Sequence, residues 1–546
     1  MTDHLIRGRE CYGRRAWADA FRALSLADQA GPLAGADLEQ LAVSAYLVGR
    51  DDDYLATLER AHRAHLGAGE GLRAARAAFW LGLRLLFRGE TGPATGWFAR
   101  AQRVLEREDR DCVERGYLLL PAVQEQLRSG DCAAACATAA SAAEIGDRFA
   151  EADLSACARH LQGRGLLLQG DLTPGLALLD EAMVSVIAGE LSPIVTGLIY
   201  CSVIEGCLEV YELRRAREWT WALARWCEDQ PELVAFTGVC MAHRAEIMLL
   251  NGAWSAAIDE AKCACARCLG AGNRQAAAAA FYQQAEVQRL QGEFGAAEES
   301  YRSASQWGWE PQPGLALLRL AQGRVDPALA AIRRVVNATT DRVERAKLLP
   351  ASIEIMLAAG DIEEARRECR ELEGIARALE TGEPGILGAM AAQARGEVEL
   401  AAGEAMAALV SLRCAWRAWL QIDAPYLAAR VRVLVALACR ALDDEDGSNL
   451  ELQAAHTVFE QLGAAPDLAR VASLTRSTPA RAPHRLSSRE LQVLRLVAAG
   501  KTNKAIAAEL HVSERTIDRH VSNIFSKLDV PSRAAATAFA CQHHLV

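Results

Sequence analysis

Apolar residues in this 546-residue chain recur at three- and four-residue steps, and the runs are broken about every forty residues by a glycine and a short polar turn. Such periodicity predicts amphipathic helices rather than strands. Glycines expected to end a helix stand at 13, 49, 89, 130, 170, 252, 292, 323, 360 and 403. Most intervals lie near 40, and the gap of 82 between Gly170 and Gly252 spans two periods with one glycine missing near Tyr211. A fixed period of this length marks a helical repeat. Five residues after each glycine stands alanine in eight of ten cases (18, 94, 135, 257, 297, 328, 365, 408), and twelve after it alanine returns at 61, 101, 142, 182, 264, 304 and 415. Small residues at those offsets share one face of the second helix of each pair, where neighbouring helices approach closely. About eleven helix pairs are expected between residues 8 and 472, in an array spanning residues 1–471.

The pattern changes at ASLTRSTPARAPHR, residues 472–485, whose prolines and short polar residues predict a linker. Four further helices are expected in residues 486–546: 488–499, 503–510, 514–528 and one starting at Arg533. In the first, Leu491, Leu494 and Val497 mark the apolar face, and Ser487 with Glu490 form a Ser-x-x-Glu capping box. The Gly500-Lys501-Thr502 that follows looks like the end of a phosphate-binding loop. Such a loop also needs a glycine at 495, where this chain has Arg, and a preceding strand. Gly500 is therefore read as a left-handed helix end, with Thr502 or Asn503 capping the next helix. Two short helices joined by a tight turn, the second capped by Ser513, predict a helix-turn-helix.

Composition narrows the class. Hydrophobic residues make up 51% and charged residues 24%, alanine is abundant, and β-branched and aromatic residues are sparse, which favours an all-α chain. No run of 18 apolar residues occurs, and the start MTDHLIRGRECYGRR lacks the apolar core of a signal peptide, so no membrane partner and a cytoplasmic location are expected. The sixteen cysteines lack zinc-finger spacing and are read as small core residues. Cys263, Cys265 and Cys268, and the pair Cys132 and Cys136, leave a thiol switch or metal site as the alternative. The acidic GRDDDYLA, residues 49–56, falls on the repeat register and is read as a turn between helices. Trp219 and Trp226 share a helix face, which is mostly a core signature; a ligand pocket lined by these rings is the alternative. No metal, cofactor or catalytic group is expected.

The net charge of −10 is uneven: from His484 onward nine Lys and Arg face five Asp and Glu, while the preceding residues carry 51 Lys and Arg against 65 Asp and Glu. A basic tail on an acidic body suits a reader of double-stranded DNA. In the third tail helix Ile517, Val521, Ile524 and Leu528 fall on one face, leaving Arg515, Asp518, Arg519, Ser522 and Asn523 to meet base edges. Arg519 could grip guanine, Asn523 adenine, and Asp518 a cytosine amino group, unless Asp518 braces Arg519. Lys501, Lys504, Thr516, His520 and Lys527 are placed as phosphate contacts.

Two resemblances add to this. QGEFGAAEESYRSA, residues 291–304, resembles the second helix of a tetratricopeptide repeat through its glycine, Ala297, Tyr301 and Ala304, so the body is read as a TPR-like α-solenoid with repeats longer than the usual 34 residues. Residues 486–540 closely resemble the LuxR-type helix-turn-helix of bacterial transcription regulators. The matching landmarks are Leu486, Ser488-Arg489-Glu490, Gly500, Asn503-Lys504, Ile506-Ala507, Ser513, Thr516-Ile517, His520, Ile524, Lys527-Leu528, Val530 and Arg533-Ala534. Ala505 and Asp518 depart from the family, which usually has Glu and often Lys there, so the family's consensus DNA site is not carried over. The resemblance implies a sequence-specific regulator, mostly activating, working with RNA polymerase and binding paired half-sites as a homodimer through Arg533, Ala534, Thr537 and Ala538. Larger MalT-like relatives place an ATPase module before such an array; no matching phosphate loop occurs in this chain. The array would then sense an effector or a protein partner. The competing expectation is an interaction scaffold with weak, non-specific DNA binding.

Overall fold

The computed structural model describes residues 2–108, 110–230, 232–270, 273–379, 385–476, 486–510, 512–543 and 545. Among them every element is a helix, from Thr2–Gly13 to Arg533–Gln542. Helices run in consecutive antiparallel pairs such as Gly35–Leu47 with Asp51–Gly67 and Gly71–Phe87 with Thr91–Arg107. Among the described residues twenty-six helices run up to Arg476, about thirteen pairs against the roughly eleven expected. Part of the excess is the short Glu114–Tyr117 helix, followed at once by Leu120–Ser129 with a proline in its first turn.

Nine of the ten expected glycines do adopt positive φ. Gly13 does not: Arg15, at φ 60°, takes the left-handed position, and its N–H donates to the Tyr12 carbonyl as Gly49 does to Tyr46. The alanine register shifts with it, so Ala20 and Ala27 are buried where Ala18 is only half-buried. The missing glycine is supplied by Tyr211 itself, at φ 63°. Seven of the eight alanines at the first offset and all seven at the second are buried. Each buried methyl contributes only about 0.8 kcal/mol, so the array gains by number and by close approach. At the Ala152–Gln169 and Leu172–Ile187 pair the backbones nearly touch: a Cβ on Gly163 would stand 2.8 Å from the Gly175 carbonyl oxygen.

The chain forms two compact units: residues 1–289 with 293–348 and 374–383, and residues 290–292 with 349–373 and 384–546. The first holds a continuous core that includes Phe79, Tyr117, Leu154, Met183, Val203 and Leu223. The acidic residues 51–53, expected in a turn between helices, instead form the first turn of the Asp51–Gly67 helix, where Asp51 accepts from Arg84 at 2.6 Å and Asp52 from Arg88 at 2.9 Å. The second unit contains the last array helices and the four tail helices. The division thus falls inside the array, not at the linker. The last array helix, Ala465–Arg476, also runs into the expected linker, making residues 472–476 helical; 477–485 lie outside the described residues.

Candidate nucleic-acid interface

The tail helices are Ser488–Ala498, Asn503–Glu509, Glu514–Leu528 and Arg533–Gln542. Each begins at a hydroxyl cap that satisfies a free N–H of its first turn. Ser487 and Glu490 form the reciprocal capping box; Thr502, Ser513 and Ser532 accept from Ala505, Thr516 and Ala535. Gly500, at φ 78°, closes the first helix, its N–H donating to Val497 at 3.0 Å. Gly500-Lys501-Thr502 is therefore the turn between two helices.

A single core joins the four. Leu494, Val497, Ile506, Ile517, Val521, Ile524, Leu528, Ala536 and Ala540 are buried in it, as is Leu486. Leu491, expected on the core face, is only half-buried, and Val493 is fully buried, because the fourth helix packs on a second side of the first.

Packing one face of Glu514–Leu528 fixes which side chains remain outside. Arg515, Asp518, Arg519 and Ser522 are exposed and Asn523 is half-exposed. Asp518 braces Asn503 rather than Arg519: the Asn503 amide donates to its Oδ1 at 2.7 Å. Arg533 in turn donates to the Asn503 Oδ1 at 2.7 Å and to the Lys501 carbonyl. This relay locks the turn between the first two helices to the Glu514–Leu528 helix and to the start of the fourth. A lysine at 518 could not accept that bond, so the departure from the family's usual residue has a structural use.

The expected phosphate contacts differ among themselves. Lys504 is exposed; Lys501 pairs with Glu509; the Thr516 hydroxyl lies 2.7 Å from that of Ser513. Lys527 binds Glu490 at 2.9 Å and Asp446 of the array at 3.0 Å. Burial works against its charge, but the hydrogen bonds to those two carboxylates together with their negative charges outweigh it and raise its pKa. Burial lowers the pKa of His520 despite the opposing pull of Glu490, and its buried Nδ1 finds no hydrogen-bond partner among the described residues. In the fourth helix Ala534 and Ala538 are exposed, while Thr537 donates back to the Arg533 carbonyl at 3.0 Å.

Outside the tail, Trp219 and Trp226 both pack against the core of the first unit, and Trp221 is the exposed ring of that helix. Cys265 and Cys268 are buried, their thiols pushed up to about 12 by desolvation, whereas Cys263 is exposed. No group able to hold a metal ion occurs among the described residues, nor is any described helix long and apolar enough to cross a membrane. Sequence reasoning missed the Asn503–Asp518–Arg533 relay and the Glu490–Lys527 pair; only the capping box hinted at the inward turn of Glu490.

A capped helix seated on a shorter one by apolar contacts, with a mixed polar and basic face outward, defines a helix-turn-helix module. Residues 484–540 match the family model described as bacterial regulatory proteins, luxR family, so the tail is a LuxR-type helix-turn-helix. The transcriptional regulatory protein LiaR of Bacillus subtilis (strain 168) is 49% identical over 65 residues, which are 12% of this chain and 31% of LiaR. The response regulator protein VraR of Staphylococcus aureus is 44% identical over 61 residues, 11% of this chain and 29% of VraR. The chain thus spans less than a third of these relatives' length. Among solved structures, that of the APC/C hetero-tetramer Cut9–Hcn1 aligns with 88% of this chain and 96% of that one, at 12% identity and a TM-score of 0.34, too weak a likeness to equate the folds.

Proposed function

We propose that this chain is a sequence-specific DNA-binding transcription regulator that engages double-stranded DNA as a homodimer. Its activity is activation through RNA polymerase, and its helical array takes the controlling signal from an effector or a protein partner. The observation that carries the reading is the exposed Arg515, Asp518, Arg519 and Ser522 on a rigidly capped helix. Arginine there can bond two acceptors of a guanine edge, which no other base presents in the same pattern. Exposed Ala534 and Ala538 give the fourth helix a small-residue face that a second copy can approach closely.

The test is selection of bound DNA from a random pool, with the full chain and with residues 484–546, at two salt concentrations. A two-fold symmetric enriched motif is expected. A difference between the two proteins would mark control by the array. Binding that falls with salt and ignores sequence would instead favour the scaffold reading.

A further inference from the structure

Four consecutive helices of the first unit, Pro193–Glu209, Leu213–Glu228, Thr237–Leu250 and Trp254–Gly270, each bring a cysteine to one place: Cys201, Cys227, Cys240 and Cys268. Of the closely spaced Cys263, Cys265 and Cys268, the last alone belongs to this group. Cys240 is part of the unit's core, and Cys201 and Cys227 pack half-buried against it. Gly238 makes room for the fourth thiol: a Cβ there would lie 2.5 Å from the Cys268 Sγ.

Within the group Cys227 and Cys240 are set apart by direct contact, their thiols sharing a hydrogen bond. Cys240 lies in the first turn of the Thr237–Leu250 helix, with Arg244 one turn further on. A helix N-terminus and a neighbouring cation both favour a thiolate. The hydrogen bond from Cys227, aided by Arg244, lowers the Cys240 pKa against the effect of burial; the same bond, with burial, makes Cys227 keep its proton. Burial alone pushes the Cys268 thiol up, to about 12. An attacking thiolate beside a protonated resolving thiol is the arrangement of an oxidisable pair.

We propose that Cys227 and Cys240 form such a pair, which a small hydroperoxide converts to a disulfide between the Leu213–Glu228 and Thr237–Leu250 helices and a thiol reductant restores. The Cys240 thiolate attacks one peroxide oxygen, the O–O bond breaks, and the hydroxide released takes a proton to become water, leaving a sulfenic acid. The Cys227 sulfur then attacks the sulfenic sulfur, and its proton leaves with the departing hydroxyl as a second water. Two thiols thereby lose two electrons, and hydrogen peroxide gains them. The bond closes a ring around the residues that tie this part of the array to its first helices. There Trp17 donates to Gln230 at 2.8 Å, the Ala18 N–H to Glu232 at 3.1 Å, and the Val234 and Ala235 N–H groups to the Leu47 carbonyl at 2.9 and 3.1 Å. Repeats of a helical array ordinarily meet only their sequence neighbours, so the oxidation state of this pair acts on an uncommon long-range contact. The inference goes beyond the reading of the chain as a transcription regulator and stands without it.

The test treats the full chain with hydrogen peroxide, alkylates the remaining thiols after unfolding, and digests it without reductant for mass spectrometry. A peptide pair linked through Cys227 and Cys240 is expected, formed at least about tenfold faster than any other disulfide because the thiolate is the nucleophile, and lost on adding dithiothreitol. Cys227→Ser should leave a sulfenic acid at Cys240 that dimedone traps, whereas Cys263→Ser, at an exposed thiol, should leave the linkage unchanged. Linkage of either cysteine to Cys201 instead overturns the proposal, as does oxidation of Cys240 in the unaltered chain to sulfinic acid without linkage, or no reaction of the pair while the chain stays folded. The main result comes from the unaltered chain, so it holds even if a variant fails to fold. Slower hydrogen exchange at the Val234 and Ala235 amides of the oxidised chain supports action on the long-range contact, and unchanged exchange overturns it.

Discussion

Arg519 and Lys504 are both exposed cations of the tail, yet they should fail differently when removed. Arg519→Ala is expected to cost about 1–3 kcal/mol and to relax discrimination at one base position, as loss of a two-pronged base contact does. Lys504→Ala should weaken all sequences alike and reduce the salt slope by about one; titrations of cognate and scrambled duplexes across salt separate the two. Spacing alone placed Arg519 on the outer face, because helical periodicity depends only on positions a turn or two apart. It did not reveal that Asp518 answers Asn503, fifteen residues away on another helix.

Among the elements, the pairs of the array depend on close backbone approach. Gly163→Val should push the Ala152–Gln169 and Leu172–Ile187 helices apart, since any Cβ there already meets the Gly175 carbonyl oxygen at 2.8 Å. The overpacking should cost about 1–3 kcal/mol, read as faster hydrogen exchange of those two helices. His160, buried in the first of them, has its pKa pushed down to about 4 by desolvation, against an ordinary value of 6.5. The unfolded chain therefore takes up the proton first as pH falls. Stability from the neutral ring is complete above 6.5 and is lost between 6.5 and about 4, by roughly 3 kcal/mol at most. His160→Gln should flatten that part of the exchange-against-pH curve. The repeat register was legible from glycine and alanine offsets because a left-handed turn and a tight helix contact each demand a residue type. Tyr211 occupies the same conformation where the period already marked a missing glycine, whereas Arg15 does so two residues past Gly13, and the glycine hid it.

For the whole molecule, the tail's Glu514–Leu528 helix is tied to the array within the second unit through Lys527 and Asp446, 3.0 Å apart. Both groups are partly exposed, so the pair is worth only about 0.2–1 kcal/mol. A phosphate would compete with Asp446 for that ammonium. Asp446→Asn is accordingly expected to raise the full chain's DNA affinity by about 1.4- to fivefold, the factor that energy corresponds to. Equal affinity of variant and unaltered chain would show that Lys527 stays with Glu490 on DNA.

What the sequence determined by itself was local: helix periods, hydroxyl caps, the left-handed Gly500, the small-residue faces and the order of landmarks in the tail. Each depends on residues within a few positions of one another, where bonded geometry and hydrogen-bonding needs leave few choices. Only the tertiary structure decided which distant groups meet. Leu47 with Val234, Glu490 with Lys527 and Arg533 with Asn503 are pairs in which neither partner's neighbours name the other. Their meeting follows from how successive helices accumulate small rotations and translations, a sum over many packed side chains that no single stretch of sequence contains.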